Sequence, residues 1–210
     1  MQQFYYNLIY PHTRILEPMI LPILSYGNSV LKKKALPISI NKKNLKNLIT
    51  NMWDTMYAAQ GVGLAAPQIG EPIRLFIVDT YPFSDNDDLS IDERNFLKGF
   101  KKVFINPEII GENGKECFFN EGCLSIPGIR EDVKRRDSIT IKFQDLNGTF
   151  TTESLSGIAA RVVQHEYDHI EGILFTDKLS FLKKKTIKRK LTEISKGKIK
   201  VDYKMKFLKN

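Results

Sequence analysis

The stretch "VVQHEYDHIEG" (162–172) sets two histidines four residues apart, with a glutamate directly after the first. On an α-helix four residues turn through about 400°, so His165 and His169 lie one turn apart on one face and can reach one ion. Glu166 sits one position round, where it can touch a metal-bound water without ligating. The spacing predicts a helix from about Ser154 to Glu171, ended by Gly172. The ordinary alternative is a helix with two core or solvated histidines, because such pentapeptides also arise by chance. Two imidazoles do not complete a catalytic site, which usually takes three protein ligands and keeps one position for water. The chain has three histidines, and none follows His169. The downstream acids Glu171, Asp177, Glu193 and Asp202 lack convincing context. Upstream, "NEGCLSIPG" (120–128) offers Cys123, whose thiolate is a strong ligand for a soft or borderline metal. The ordinary alternative for Cys123, as for Cys117, is a buried strand cysteine.

Outward from this stretch the pattern is mixed. "NKKNLKNLITNMWDTMYAAQ" carries Leu45, Leu48, Ile49, Met52, Met56 and Ala59 at helical spacing. After "GVGLAAPQIGEP", rich in glycine and small residues, "IRLFIVDT" reads as a strand. Residues 81–102 are polar and turn-rich and read as a surface excursion. "VFINPEII" and "ECFFNEGCLSIPG" read as further short strands, and "DSITIKFQDLNG" as a strand running into an Asn-Gly turn. Lys183 to Ser195 predicts a last helix. Strands between segregated helices, without a βαβ rhythm, argue α+β: short, mostly antiparallel sheets around a central helix carrying the histidines, with a C-terminal helix.

The 210 residues suffice for one well-buried domain and are short for two. At 42% hydrophobic and 27% charged, the composition is that of an ordinary globular protein. No apolar run approaches the roughly 20 residues that span a bilayer, and the N-terminus lacks the pattern of a secretory signal. Two cysteines fit a reducing cytoplasm rather than a disulfide framework. The net charge of +8 is uneven. Residues 178–210 hold 12 Lys and 1 Arg against Glu193 and Asp202, a balance of +11, so the other residues sum to −3.

Three segments together are more specific than any one. "GVGLAAPQIG" (61–70), "EGCLSIPG" (121–128) and "QHEYDHIEG" (164–172) resemble the signature segments of the peptide deformylase family, in its order and at compatible separations. The resemblance runs from "MILPILSYG" at Met19 to "LSFLKKK". It implies residues 19–210 as a single domain with a basic C-terminal helix and tail (178–210), preceded by a dispensable extension, 1–18. The departures are Ile170, where the family often has leucine, and a long 81–102 segment.

The resemblance implies removal of the formyl group from N-formylmethionyl nascent peptides, in a cytoplasm or another compartment with bacterial-type translation. Cys123, His165 and His169 would hold one divalent ion, typically Fe2+, with Zn2+, Ni2+ or Co2+ also able to occupy the site; ligand types alone would suggest Zn2+. A water on that ion would approach neutral pKa, and Glu166 would take its proton and hand it to the departing amine. The side-chain amide of Gln68 and the backbone N–H of Leu124 would meet the charge developing on the formyl oxygen. Without the family, Gln68 reads as a surface amide after Pro67. The peptide would pair like a strand with backbone around Val62–Gly63 and Gly122. Its methionine side chain would enter a pocket of Val62, Phe119, Ile158 and Val162, for each of which plain core packing is the alternative. Glu121 and Arg130 would bracket the cleft as an ion pair.

A zinc endopeptidase would explain the two histidines and Glu166 but not the two upstream segments together. An RNA- or ribosome-binding protein with a merely structural metal would explain the tail but not Glu166 beside the ligands. The tail also suits a deformylase that docks on ribosomal RNA. Leu182, Ile187, Leu191 and Ile194 would then face the body, with Lys183, Lys184, Lys185, Lys188 and Arg189 outward; a solvated helix is the alternative.

Overall fold

The computed structural model describes residues 19–208. The proposed extension, 1–18, lies outside the described residues. Five strands form one antiparallel sheet in the order β2 (Gly63–Ala65), β3 (Leu75–Asp79), β4 (Lys101–Cys123), β5 (Ile126–Gln144) and β6 (Phe150–Ser156). Two short strands, β1 (Ile23–Leu24) and β7 (Met205–Lys206), pair in parallel beside it. All five residues of β3 are buried, because helices cover both faces of the sheet. Phe76 and Val78 join a core with Phe104, Ile141 and Val163 beneath helix α3 (Gly157–Ile170). Leu75 and Ile77 point the other way, onto Ile49, Met52 and Met56 of helix α1 (Leu45–Ala58). A third apolar cluster lies under the C-terminal helix α4 (Phe181–Ser195) and joins Ile187, Leu191 and Ile194 to Ile126, Val133 and Phe175.

The α+β class and the central helix agree with the sequence pattern, and four details do not. "VFINPEII" and "ECFFNEGCLSIPG" are not separate short strands but parts of β4, 23 residues long, which pairs along β5, 19 residues long. Register shifts between Ile105 and Glu108, Ile109 and Gly111, and Asn113 and Glu116 absorb the proline and glycines that read as breaks. Residues 81–102 are more than a surface excursion. They contain helix α2 (Ile91–Gly99), capped by the Ser90 hydroxyl, which accepts from the Glu93 N–H at 3.2 Å, and they bury Leu97 and Phe100. Two anchors in a polar segment leave too weak a period to read. Helix α3 starts at Gly157 rather than Ser154, because Ser154–Ser156 finish β6 opposite Ser138–Thr140. Leu182 is 72% exposed and does not join the docking face of α4.

The end of α3 is set by its glycine. The Ile173 N–H donates to the Asp168 carbonyl at 2.9 Å and the Gly172 N–H to that of His169 at 3.3 Å, the double closure that needs a left-handed residue between. Gly172 supplies it at φ +74°, and a Cβ there would lie 2.8 Å from the Lys32 backbone. Gly172→Ala is expected to destabilise the fold by about 1–2 kcal/mol through the dihedral angle, and further through the backbone clash. A lowered urea midpoint with unchanged slope would register the loss.

Candidate active site

Three chain segments meet in a cleft of roughly 440 Å³. Helix α3 brings His165, Glu166 and His169. The end of β4 brings Cys123, which pairs with Ile126 across a two-residue turn of Leu124 and Ser125. The short helical turn after β2 brings Gln68. One ligand atom from each of Cys123, His165 and His169 lies within 4.8 Å of the others, and Cys123 Sγ is 3.2 Å from His169 Nε2. His165 Nδ1 is engaged by Glu121 Oε2 at 2.9 Å, so Nε2 is the nitrogen that could meet a cation. A thiolate and two imidazoles on one point are a fitting donor set for a divalent transition metal.

The electrostatics divide two carboxyls. Burial alone would raise the pKa of Glu121, but hydrogen bonds from Arg135 and His165 hold it down at about 2. Burial lifts Glu166 to about 7 against the opposing pull of His165, and its Oε2 has no hydrogen-bond partner among the described residues. Burial disfavours charge on both histidines. At His165 the hydrogen bonds to Cys123 and Glu121 outweigh it and raise the pKa. At His169 repulsion from His165 adds to it and lowers the pKa.

Gln68 is not a surface amide; it is 1% exposed. Its Oε1 accepts from the Ala65 N–H at 2.8 Å, and its Nε2 points to Ser125 Oγ at 3.3 Å and Cys123 Sγ at 3.6 Å. Gly63 is pressed against the helix: a Cβ there would lie 2.4 Å from Glu166 Oε1. Val62, Phe119 and Val162 are apolar side chains that line the cleft, as do Gly122 and Leu124. Ile158 does not line it; that side chain packs into the core between α3 and the sheet.

Glu121 and Arg130 both border the cleft, but they do not form the expected pair. Arg130 bonds Asn120 at Oδ1 (2.9 Å) and at the carbonyl (2.6 Å). Glu121 is instead gripped by Arg135, with Nε at 2.6 Å and Nη2 at 2.9 Å, and touched by Arg161 Nη1 at 3.3 Å. Arg135 also pairs with Asp168 at 2.6 Å. Sequence reasoning missed this network because "VKRRD" reads as a solvated charge run. A usable signal was present: Arg161 precedes His165 by four, on the same helical face.

No helix among the described residues is long and apolar enough to cross a membrane. Residues 20–185 match the family model described as polypeptide deformylase. The peptide deformylase of Christiangramia forsetii is 61% identical over 189 residues, covering 90% of this chain and 96% of that one. That of Flavobacterium johnsoniae is 56% identical, with the same coverage. The crystal structure of a peptide deformylase from Legionella pneumophila superposes with a TM-score of 0.71 at 38% identity, covering 85% of this chain and 97% of that one. Arabidopsis thaliana peptide deformylase 1B, in complex with an inhibitor, gives 0.73 at 36% identity, covering 85% and 92%. With its three signature segments folded into one cleft, the chain belongs to the polypeptide deformylase family.

Proposed function

We infer that the chain hydrolyses the N-formyl group from the formylmethionine of newly made polypeptides and releases formate. The observation that carries this is the convergence of Gln68, Cys123, His165 and Glu166 on one cleft from three separate segments, with His169 directly beside Cys123. Cys123, His165 and His169 would hold one divalent cation, with Fe2+ as the resident ion and Zn2+, Ni2+ or Co2+ as substitutes. That ion, when bound, supplies Lewis acidity and a water of near-neutral pKa.

The remaining work falls to the chain's own groups. Glu166 takes the proton of the attacking water at its unpartnered carboxylate oxygen and passes it to the departing amine nitrogen. Its pKa of about 7 suits both halves of that transfer. Gln68 Nε2 and the Leu124 N–H donate to the formyl oxygen as it gains charge, and one such donor is worth about 10²–10³ in rate. Strand β2 is the edge of the sheet, so the peptide adds beside Val62–Gly63 and faces Gly122. Val62, Phe119 and Val162 receive the methionine side chain. Residues 19–210 are the working unit, and its setting is the reducing compartment where translation begins with formylmethionine. An anaerobic preparation with metal analysis and an assay on formyl-Met-Ala-Ser tests this function directly; a metal-loaded chain that leaves the formyl group intact would overturn it.

For the tail, Ile187, Leu191 and Ile194 anchor α4 on the body while its lysines face outward. Lys183 pairs with Glu131, Lys184 donates to the Asp177 carbonyl, and Arg189 pairs with Glu193. Lys185, Lys188, Lys196 and Lys198 share one basic groove, and this is the face we assign to ribosomal RNA.

Glu166→Gln is expected to keep its metal and lose about 10²–10⁴ of kcat, whereas Cys123→Ser is expected to lose the metal itself. Metal content beside turnover separates the two. Gly63→Ala should also keep the metal, yet lose about 10² of kcat/KM by displacing Glu166. Charge reversal at Lys185, Lys188, Lys196 and Lys198 should weaken ribosome co-sedimentation and flatten its dependence on salt, with formyl-Met-Ala-Ser turnover unchanged.

A further inference from the structure

The match to the family model ends at residue 185, yet Tyr203, beyond it, lines the cleft. After α4 the chain turns at Gly197, φ +69°, and returns along the body to form β7. The Ile23 N–H donates to the Lys204 carbonyl at 2.9 Å and the Ser25 N–H to that of Lys206 at 3.0 Å. This pairing aims alternate residues inward. Tyr203 and Met205 pack on the core beneath α1, and Lys204 and Lys206 stay exposed.

The Tyr203 hydroxyl donates to the Leu124 carbonyl at 2.7 Å. Leu124 opens the two-residue turn that follows Cys123, and further contacts hold that turn, among them Gln68 Nε2 to Ser125 Oγ at 3.3 Å. The Ser125 carbonyl accepts from the Tyr26 N–H at 2.8 Å. The Leu124 side chain lies so close over Gly61 that a Cβ there would be 2.8 Å from Leu124 Cδ1. The turn has no regular ladder partner of its own, so these outside contacts define where its backbone points. We propose that Tyr203 is a positioning residue for deformylation: its hydroxyl fixes the Leu124–Ser125 peptide plane at the carbonyl and so steadies, across the Leu124 Cα, the preceding plane that carries the Leu124 N–H. This rests on reading that N–H as a donor to the formyl oxygen. A donor held in place before the reaction costs no reorganisation during it, so the contribution of Tyr203 falls on the chemical step rather than on substrate binding.

Tyr203→Phe in the full-length, metal-loaded enzyme removes the hydroxyl and keeps the ring. On formyl-Met-Ala-Ser, kcat is expected to fall about tenfold, the size of one hydrogen bond, with KM within about twofold. Metal content and melting temperature are expected to match the parent. An unchanged kcat overturns the proposal. So does a raised KM at constant kcat, which would make Tyr203 a wall of the cleft only. So does a kcat loss that vanishes when rates are scaled to the folded, metal-bound fraction, which would make its role purely structural. The parent enzyme, assayed in parallel, separates the two levels: failure of the parent to deformylate the peptide overturns the functional reading itself, whereas normal parent turnover confines any failure to Tyr203.

Discussion

The buried carboxylate of Glu121 ties together the elements that build the cleft. It sits near the end of β4, is gripped by Arg135 from β5, and receives His165 and Arg161 from α3. Three elements are thereby joined through one charge that is 4% exposed. A buried ion pair contributes little net stability over a well-packed apolar substitute, but removing one partner strands the other at a cost of about 3–5 kcal/mol. The network therefore acts as a specification. Arg135 reaches on to Asp168, in the same helical turn as His169, so the sheet holds the helix both before His165, at Arg161, and between the two histidines, at Asp168. Arg161 extends the hold to the Cys117 carbonyl at 2.8 Å and the Val133 carbonyl at 3.1 Å.

Set against Glu121, Glu166 shows how environment assigns roles to one functional group. Both carboxyls are buried. Glu121 has a guanidinium and an imidazole at hydrogen-bond distance and stays ionised. Glu166 has one oxygen unpartnered and rises to about 7. Splitting two acids in this way gives a site one fixed charge and one exchangeable proton. The fixed charge orients the His165 imidazole, one of three groups that could hold a metal; the exchangeable proton suits hydrolysis of an amide. Gly63 keeps the second acid in place by bringing strand backbone where any side chain would collide with it.

Much of this was open to a reader of the sequence, and the limits have a common cause. His165 and His169 share a face because a helix repeats every 3.6 residues, and Cys123 stood out once two imidazoles proved too few. The C-terminal helix likewise followed from the spacing of Leu182, Ile187, Leu191 and Ile194, although Leu182 faces solvent. Helix α2 escaped because Leu97 is the single buried residue within it. The pairing of Arg130 with Glu121 was wrong because side chains near each other along a hairpin need not meet: Arg130 lies opposite Gly122, and the arginine that does reach Glu121 lies opposite Cys117.

Local periodicity, residue chemistry and motif spacing determined by themselves the pairing of His165 with His169 on one helical face, Cys123 as a candidate third ligand, the α+β class and the resemblance to a family. These depend on neighbours within a few residues or on side-chain type, and neither needs the rest of the chain. Only the tertiary structure decided that Gln68 is buried, that Arg135 and Arg161 hold Glu121, that Ile158 turns into the core and that Tyr203 reaches back to Leu124 across 79 residues. Those contacts depend on strand register, on bulges that shift it and on the docking angle of α3. Such quantities are set by the simultaneous packing of segments far apart in the chain, and no single stretch contains them.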